Sequence, residues 1–98
     1  MKTDFAIKDN TFARQFEATI PEGLITIEYS LQERKIFLTK LSTPTEFDND
    51  NTIDEILKDV LAVISENKLR VVPTYPKIAQ FFKKHSEYAE LLPPGIRM

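Results

Sequence analysis

The 98-residue sequence is 42% hydrophobic and 29% charged, with six prolines and two glycines, a composition that excludes a disordered or low-complexity chain. Thirteen Lys and Arg stand against fifteen Asp and Glu, so the total charge gives no reason to expect nucleic acid or an anionic membrane as partner. The lack of cysteine excludes disulfides, thiolate nucleophiles and cysteine metal sites, and no apolar run approaches the ~20 residues of a membrane span. A single domain over 1–98, built on one core and cytoplasmic, is the expectation.

A short first strand is expected over Phe5 to Asp9, turned by Asp9-Asn10. From Phe12 the spacing Phe12, Phe16, Ala18, Ile20 suggests a half-buried strand of period two, interrupted by Arg14. Phe5, Phe12 and Phe16 are therefore expected in the core. Pro21-Glu22-Gly23 is a turn, since Pro presets φ and Gly tolerates positive φ. A third strand, Leu24 to Leu31, and a fourth, Lys35 to Leu41, flank a tight turn at Gln32-Glu33-Arg34, which makes an antiparallel meander.

Ser42 to Asn51 is a polar segment without glycine. The apolar residues Ile53, Ile56, Leu57, Val60, Leu61 and Ile64 then recur on one face of a 3.6-residue period, the signature of an amphipathic helix. Thr52 as N-cap with Glu55 three residues later forms a capping box, and Asn67 is the expected left-handed stop. The run Leu69 to Val72 gives a fifth strand, which a right-handed crossover places parallel to the fourth. Pro76 opens a second helix through Ile78, Phe81 and Phe82, and Tyr88, Leu91 and Leu92 add a further turn.

Charge is uneven along this order. Residues 42–68 carry seven acidic side chains (Glu46, Asp48, Asp50, Asp54, Glu55, Asp59, Glu66) against Lys58 and Lys68, whereas 69–98 carry five basic against two acidic. No Ser-His-Asp order, Walker loop, zinc spacing or Rossmann fingerprint is present. His85, the only histidine, has no second histidine or cysteine with which to complete a metal set, so no metal is expected. Glu28 falls on the polar face of the third strand and is a candidate base.

The fold class expected is therefore α+β: an antiparallel four-strand meander, then loop, helix, fifth strand and helix. That order, with the blocks Ile36 to Ile56 and Val71-Val72-Pro73-Thr74-Tyr75-Pro76 through Phe81-Phe82-Lys83-Lys84-His85-Ser86-Glu87-Tyr88, resembles the minimal single-domain GNAT-type N-acetyltransferases. The resemblance covers most of residues 24–92. It implies strands four and five that splay apart, acetyl-CoA as cofactor, and a small-molecule or protein amine as acceptor. It further implies that the backbone of Phe37, Leu38, Thr39, Lys40 and Leu41 pairs with the pantetheine arm, and that Asp48, Asn49, Asp50, Asn51, Thr52 and Ile53 face the pyrophosphate.

The sequence departs from that pattern at three places. Where the family carries an arginine and glycines whose amides cradle the pyrophosphate, Asp48 to Ile53 offer neither, although Asn49 and Asn51 can adopt positive φ. The family's cysteine falls on Tyr75, as in larger GNAT enzymes that use a tyrosine to protonate the departing thiolate, which makes Tyr75 the candidate general acid. Lys40 stands where the minimal enzymes usually have histidine. The loop's loss of glycine also fits a second reading, a non-catalytic binding or interaction module on the same scaffold.

Overall fold

The computed structural model describes residues 7–44 and 50–93. Strands β1 (Lys8–Asn10), β2 (Gln15–Ile20), β3 (Gly23–Gln32) and β4 (Lys35–Ser42) form the meander, followed by helix α1 (Asp50–Glu66), strand β5 (Arg70–Pro73), helix α2 (Pro76–Lys84) and a 3-10 turn at Ser86–Leu91. The five strands lie in sequence order, with β1 to β4 antiparallel and β5 parallel to β4. The mixed α+β order expected from the sequence is the order observed.

Period two decides which face is buried. Phe16, Ala18 and Ile20 of β2, Ile25, Ile27 and Tyr29 of β3, and Ile36, Leu38 and Leu41 of β4 all enter one hydrophobic cluster. The cluster is completed by the expected α1 stripe of Ile53, Ile56, Leu57, Val60, Leu61 and Ile64, and by Ile78, Phe81 and Phe82 of α2. Each such side chain removed from water contributes about 1.5–3 kcal/mol, which is what holds two short helices on the sheet. The alternate residues Gln15, Glu17, Thr26, Glu28, Ser30, Phe37 and Val72 are only half-buried.

The β1–β2 end differs from the expectation. The first strand is Lys8–Asn10 rather than Phe5 to Asp9, and Phe5 lies outside the described residues. Residues 11–14 form a turn in which the Asn10 side-chain oxygen accepts from the Ala13 amide at 3.0 Å and Arg14 takes φ 57°. Phe12 sits on that turn and is fully exposed, so it is not a core residue. Period two cannot be extended from Phe16 through a turn that reverses the chain.

The tight turns carry unusual residues. Glu33 and Arg34 both have positive φ, 51° and 69°, the geometry that a two-residue hairpin requires and that Asn-Gly would adopt with less strain. At the other end, Gly23 has φ 144°, and a Cβ there would lie 3.1 Å from Pro44 Cγ.

Helix α1 begins at Asp50, so Thr52 lies inside its first turn rather than at the N-cap. Its C-terminus closes through Lys68 N–H to Ser65 O (3.0 Å) and Leu69 N–H to Ile64 O (3.3 Å), a Schellman pattern. The left-handed residue in that pattern is Lys68 (φ 59°) and not Asn67, whose side-chain amide instead donates to Val63 O at 3.0 Å. Strand β5 follows one residue later than expected, at Arg70–Pro73.

Candidate functional site

One end of the β4–β5 seam differs from the rest of the sheet. The parallel ladder runs from Lys35–Arg70 through Ile36–Val71 and Phe37–Val72 to Leu38–Pro73, and stops. Thr74 makes the last links, its amide and its hydroxyl both donating to Leu38 O at 3.2 and 3.1 Å. Strand β4 continues four residues further, to Ser42, and among the described residues that stretch pairs with β3 alone. The chain beyond Thr74 leaves the sheet because Tyr75, extended at φ −86° and ψ 129°, caps α2, and Pro76 fixes its first turn.

A bulge shapes that free stretch. Glu28 pairs with Lys40 and Tyr29 pairs with Leu38, so Thr39 is an extra residue on β4. The insertion shifts the side-chain phase: Leu38 and Leu41 are both buried, and Thr39 and Lys40 are exposed in succession. The Thr39 hydroxyl donates to Glu28 O at 3.3 Å, which ties the bulge to β3.

The expected site residues divide accordingly. Phe37 and Leu38 lie within the ladder with β5, and Thr39, Lys40 and Leu41 lie beyond its end. Tyr75 is half-buried against the core one residue after Thr74, and therefore beside the point where the ladder stops. Asp50, Asn51, Thr52 and Ile53 form the first turn of α1. Ile53 is buried in the core stripe, so only its backbone faces outward. Glu28 occupies the half-exposed face of the sheet, opposite Gln15 and Lys40. Asp48 and Asn49 lie outside the described residues.

Two cations given no role in the sequence analysis, Lys77 and Lys84, complete this corner. Lys77 of α2 reaches Asp50 at 2.8 Å, and Lys84 reaches Asp54 at 2.9 Å. The hydrogen bond from Lys77 holds the Asp50 carboxyl below its usual range, and the bond to Asp54 raises the Lys84 ammonium above its usual range. His85 Nε2 lies 3.5 Å from the same Asp54 oxygen, with its ring stacked on Phe81 at 4.5 Å. The acidic first turns of α1 are thus met by cations of α2. The uneven charge of residues 42–68 and 69–98 was the available signal, since two oppositely charged helices joined by a four-residue strand must lie close together.

Among the described residues no group of three or more His, Asp or Glu gathers where it could hold a metal ion, and no helix is long and apolar enough to cross a membrane. The arrangement offers a strand edge that no other described strand pairs, a phenol beside the end of the ladder, and a helix tip carrying paired charges. A family model described as GCN5-related N-acetyl-transferase matches residues 15–91 of the chain. No curated protein and no solved structure matches it.

Proposed function

The chain belongs to the GCN5-related N-acetyltransferase family, and from that premise we propose that it transfers an acetyl group from acetyl-CoA to a primary amine by direct attack. The observation that carries the reading is the edge of β4 from Thr39 to Ser42, which continues after β5 has ended, with Tyr75 beside the point where the β4–β5 ladder stops. An extended amide chain such as the pantetheine arm adds to a strand edge of this kind through backbone hydrogen bonds.

In the reaction the amine nitrogen attacks the acetyl carbon, the carbon–sulfur bond breaks, and an amide and a free thiol result. Tyr75 is the proton donor to the departing sulfur, and the proton released by the amine passes to Glu28, directly or through water. The amides of Asp50 to Ile53 face the pyrophosphate, and Lys77 offsets the Asp50 carboxylate within the stretch where the family carries its arginine and glycines, while Lys84 offsets Asp54 beside it. Acceptor specificity belongs to a small-molecule or protein amine.

A second reading is favoured by one feature: residues 48–53 contain no glycine and no arginine, so the domain could keep the scaffold as a binding module without catalysis. A thermal-shift titration separates the two. Acetyl-CoA at one hundred times its Kd stabilises by about 2.7 kcal/mol, which raises the Tm of a domain of this size by about 10–20 °C. No shift at millimolar acetyl-CoA rejects the enzyme and leaves the binding module.

A further inference from the structure

A cavity of about 340 Å³ opens at the other end of the sheet, where α1 ends and β4 begins. Phe16, Leu31, Ile36, Ile64 and Leu69 supply its apolar walls, and Asp9, Thr11 and Asn67 its polar rim, together with Tyr29. None of these residues belongs to the seam around Thr39 and Tyr75.

The gap has a structural cause. Strand β3 extends to Gln32, but β2 starts at Gln15 opposite Glu28, so the last turn of β3 has no β2 neighbour on that side. Leu31 shares the inward phase of Ile27 and Tyr29 and yet remains 52% exposed. An inward apolar side chain that none of the described residues covers, above a pocket of this volume, is the usual form of a small-molecule site. The lining carries one ionisable acid, Asp9, whose carboxylate accepts from the Tyr29 hydroxyl at 2.6 Å. That bond fixes a negative charge at the mouth of an apolar hole.

The geometry points to a second ligand site here, for a small primary ammonium with an aromatic or branched apolar body. The body fills the space between Leu31, Ile36 and Leu69, and the ammonium meets Asp9 at the rim. Arg14, whose backbone oxygen accepts from the Tyr29 amide at 2.9 Å, carries the competing charge, and it would favour a carboxylate instead. The site stands independently of acetyl transfer, because its residues are distinct from those of the seam.

The test is a two-dimensional NMR titration of the full chain with three matched probes: 2-phenylethylammonium, 2-phenylethanol and 3-phenylpropionate. The ammonium is expected to bind best, with shifts centred on Leu31, Ile36, Asn67 and Leu69. Asp9→Asn weakens it by about tenfold, the loss expected when a charged hydrogen-bond partner is removed, and leaves the alcohol unchanged. Since Asp9→Asn also exchanges the charged acceptor of Tyr29 for a neutral one, Leu31→Arg serves as a second variant: it places a cation at the mouth and abolishes ammonium binding while the spectrum stays folded. Equal binding of all three probes, preference for the propionate, shifts centred on Thr39 to Ser42, or no shifts at millimolar probe would each overturn the proposal.

Discussion

Removing one oxygen atom, in Tyr29→Phe, tests how the far end of the sheet is held together. Tyr29 is 7% exposed, its ring packs on Phe16 at 5.0 Å, and its hydroxyl donates to Asp9 at 2.6 Å. Phenylalanine keeps the ring contact and loses only the bond. Because Asp9 is exposed, water replaces the lost donor, and the cost at pH 8 is about 1 kcal/mol rather than the larger value of a buried charged pair. The alkaline range gives a sharper signature. Burial, and then the hydrogen bond to Asp9, push the Tyr29 hydroxyl up to about 12 from an ordinary value of 10. A group raised in the folded state stabilises fully below its unfolded pKa, and that stability is lost as pH climbs from about 10 through 12. Two units correspond to about 2.7 kcal/mol, which solvent screening at the sheet rim reduces to about 1–2 kcal/mol. Urea unfolding of both proteins between pH 8 and 12 measures the difference, in which the titrations of Tyr75, Tyr88 and the lysines cancel. The wild-type advantage should shrink through this window. A difference that stays constant with pH, or a variant as stable as wild type at pH 8, would refute the reasoning.

Three further outcomes follow from the geometry. Lys77→Ala leaves Asp50 unpaired at the tip of α1 and should weaken acetyl-CoA by about tenfold in calorimetry at low salt, an effect that Asp50→Asn in the same chain reverses; equal affinity of the single and double variants counts against the anion-facing role of this turn. Tyr75→Phe should lower kcat and leave acetyl-CoA binding within about twofold, whereas a packing role alone would change stability and leave kcat intact. Replacing Glu33-Arg34 by Asn-Gly relieves two left-handed residues and should stabilise the chain by about 1–2 kcal/mol in urea unfolding, with no change in the β3–β4 register.

Much of the fold was legible because its strongest signals are local. The α1 stripe from Ile53 to Ile64 satisfies a single period over three turns, and every one of its six residues is buried. The Pro21 to Gly23 and Gln32 to Arg34 turns announce the meander because their backbone demands are severe. What escaped depends on local hydrogen bonds that residue preference and period alone do not reveal. Phe12 was assigned inward by extending a period across residues that the Asn10–Ala13 bond makes into a turn. The left-handed cap fell on Lys68 because the Schellman bonds of Ser65 and Ile64 fix the position, whereas intrinsic preference alone would have chosen Asn67.

The candidate site was legible only as a segment. Apolar residues at 36, 38 and 41 break period two between Leu38 and Leu41, and that irregularity is the sequence trace of the Thr39 bulge. The pairing of Asp50 and Asp54 with Lys77 and Lys84 appears in the sequence only as opposed charge on neighbouring segments, since individual partners are chosen by how α2 crosses the end of α1. The end of the β4–β5 ladder is set by Tyr75 and Pro76 leaving the sheet, which shifts the unpaired edge to Thr39–Ser42 from the 37–41 stretch expected.

The claim that matters most is that acetyl-CoA occupies this edge. Amide hydrogen exchange, resolved residue by residue with and without saturating acetyl-CoA, should show new protection at Thr39 to Ser42 and in the first turn of α1 from Asp50 to Ile53, with little change in β1 and β2. Binding that protects other strands while Thr39 to Ser42 exchange as before, or an unaltered pattern at millimolar acetyl-CoA, would contradict it.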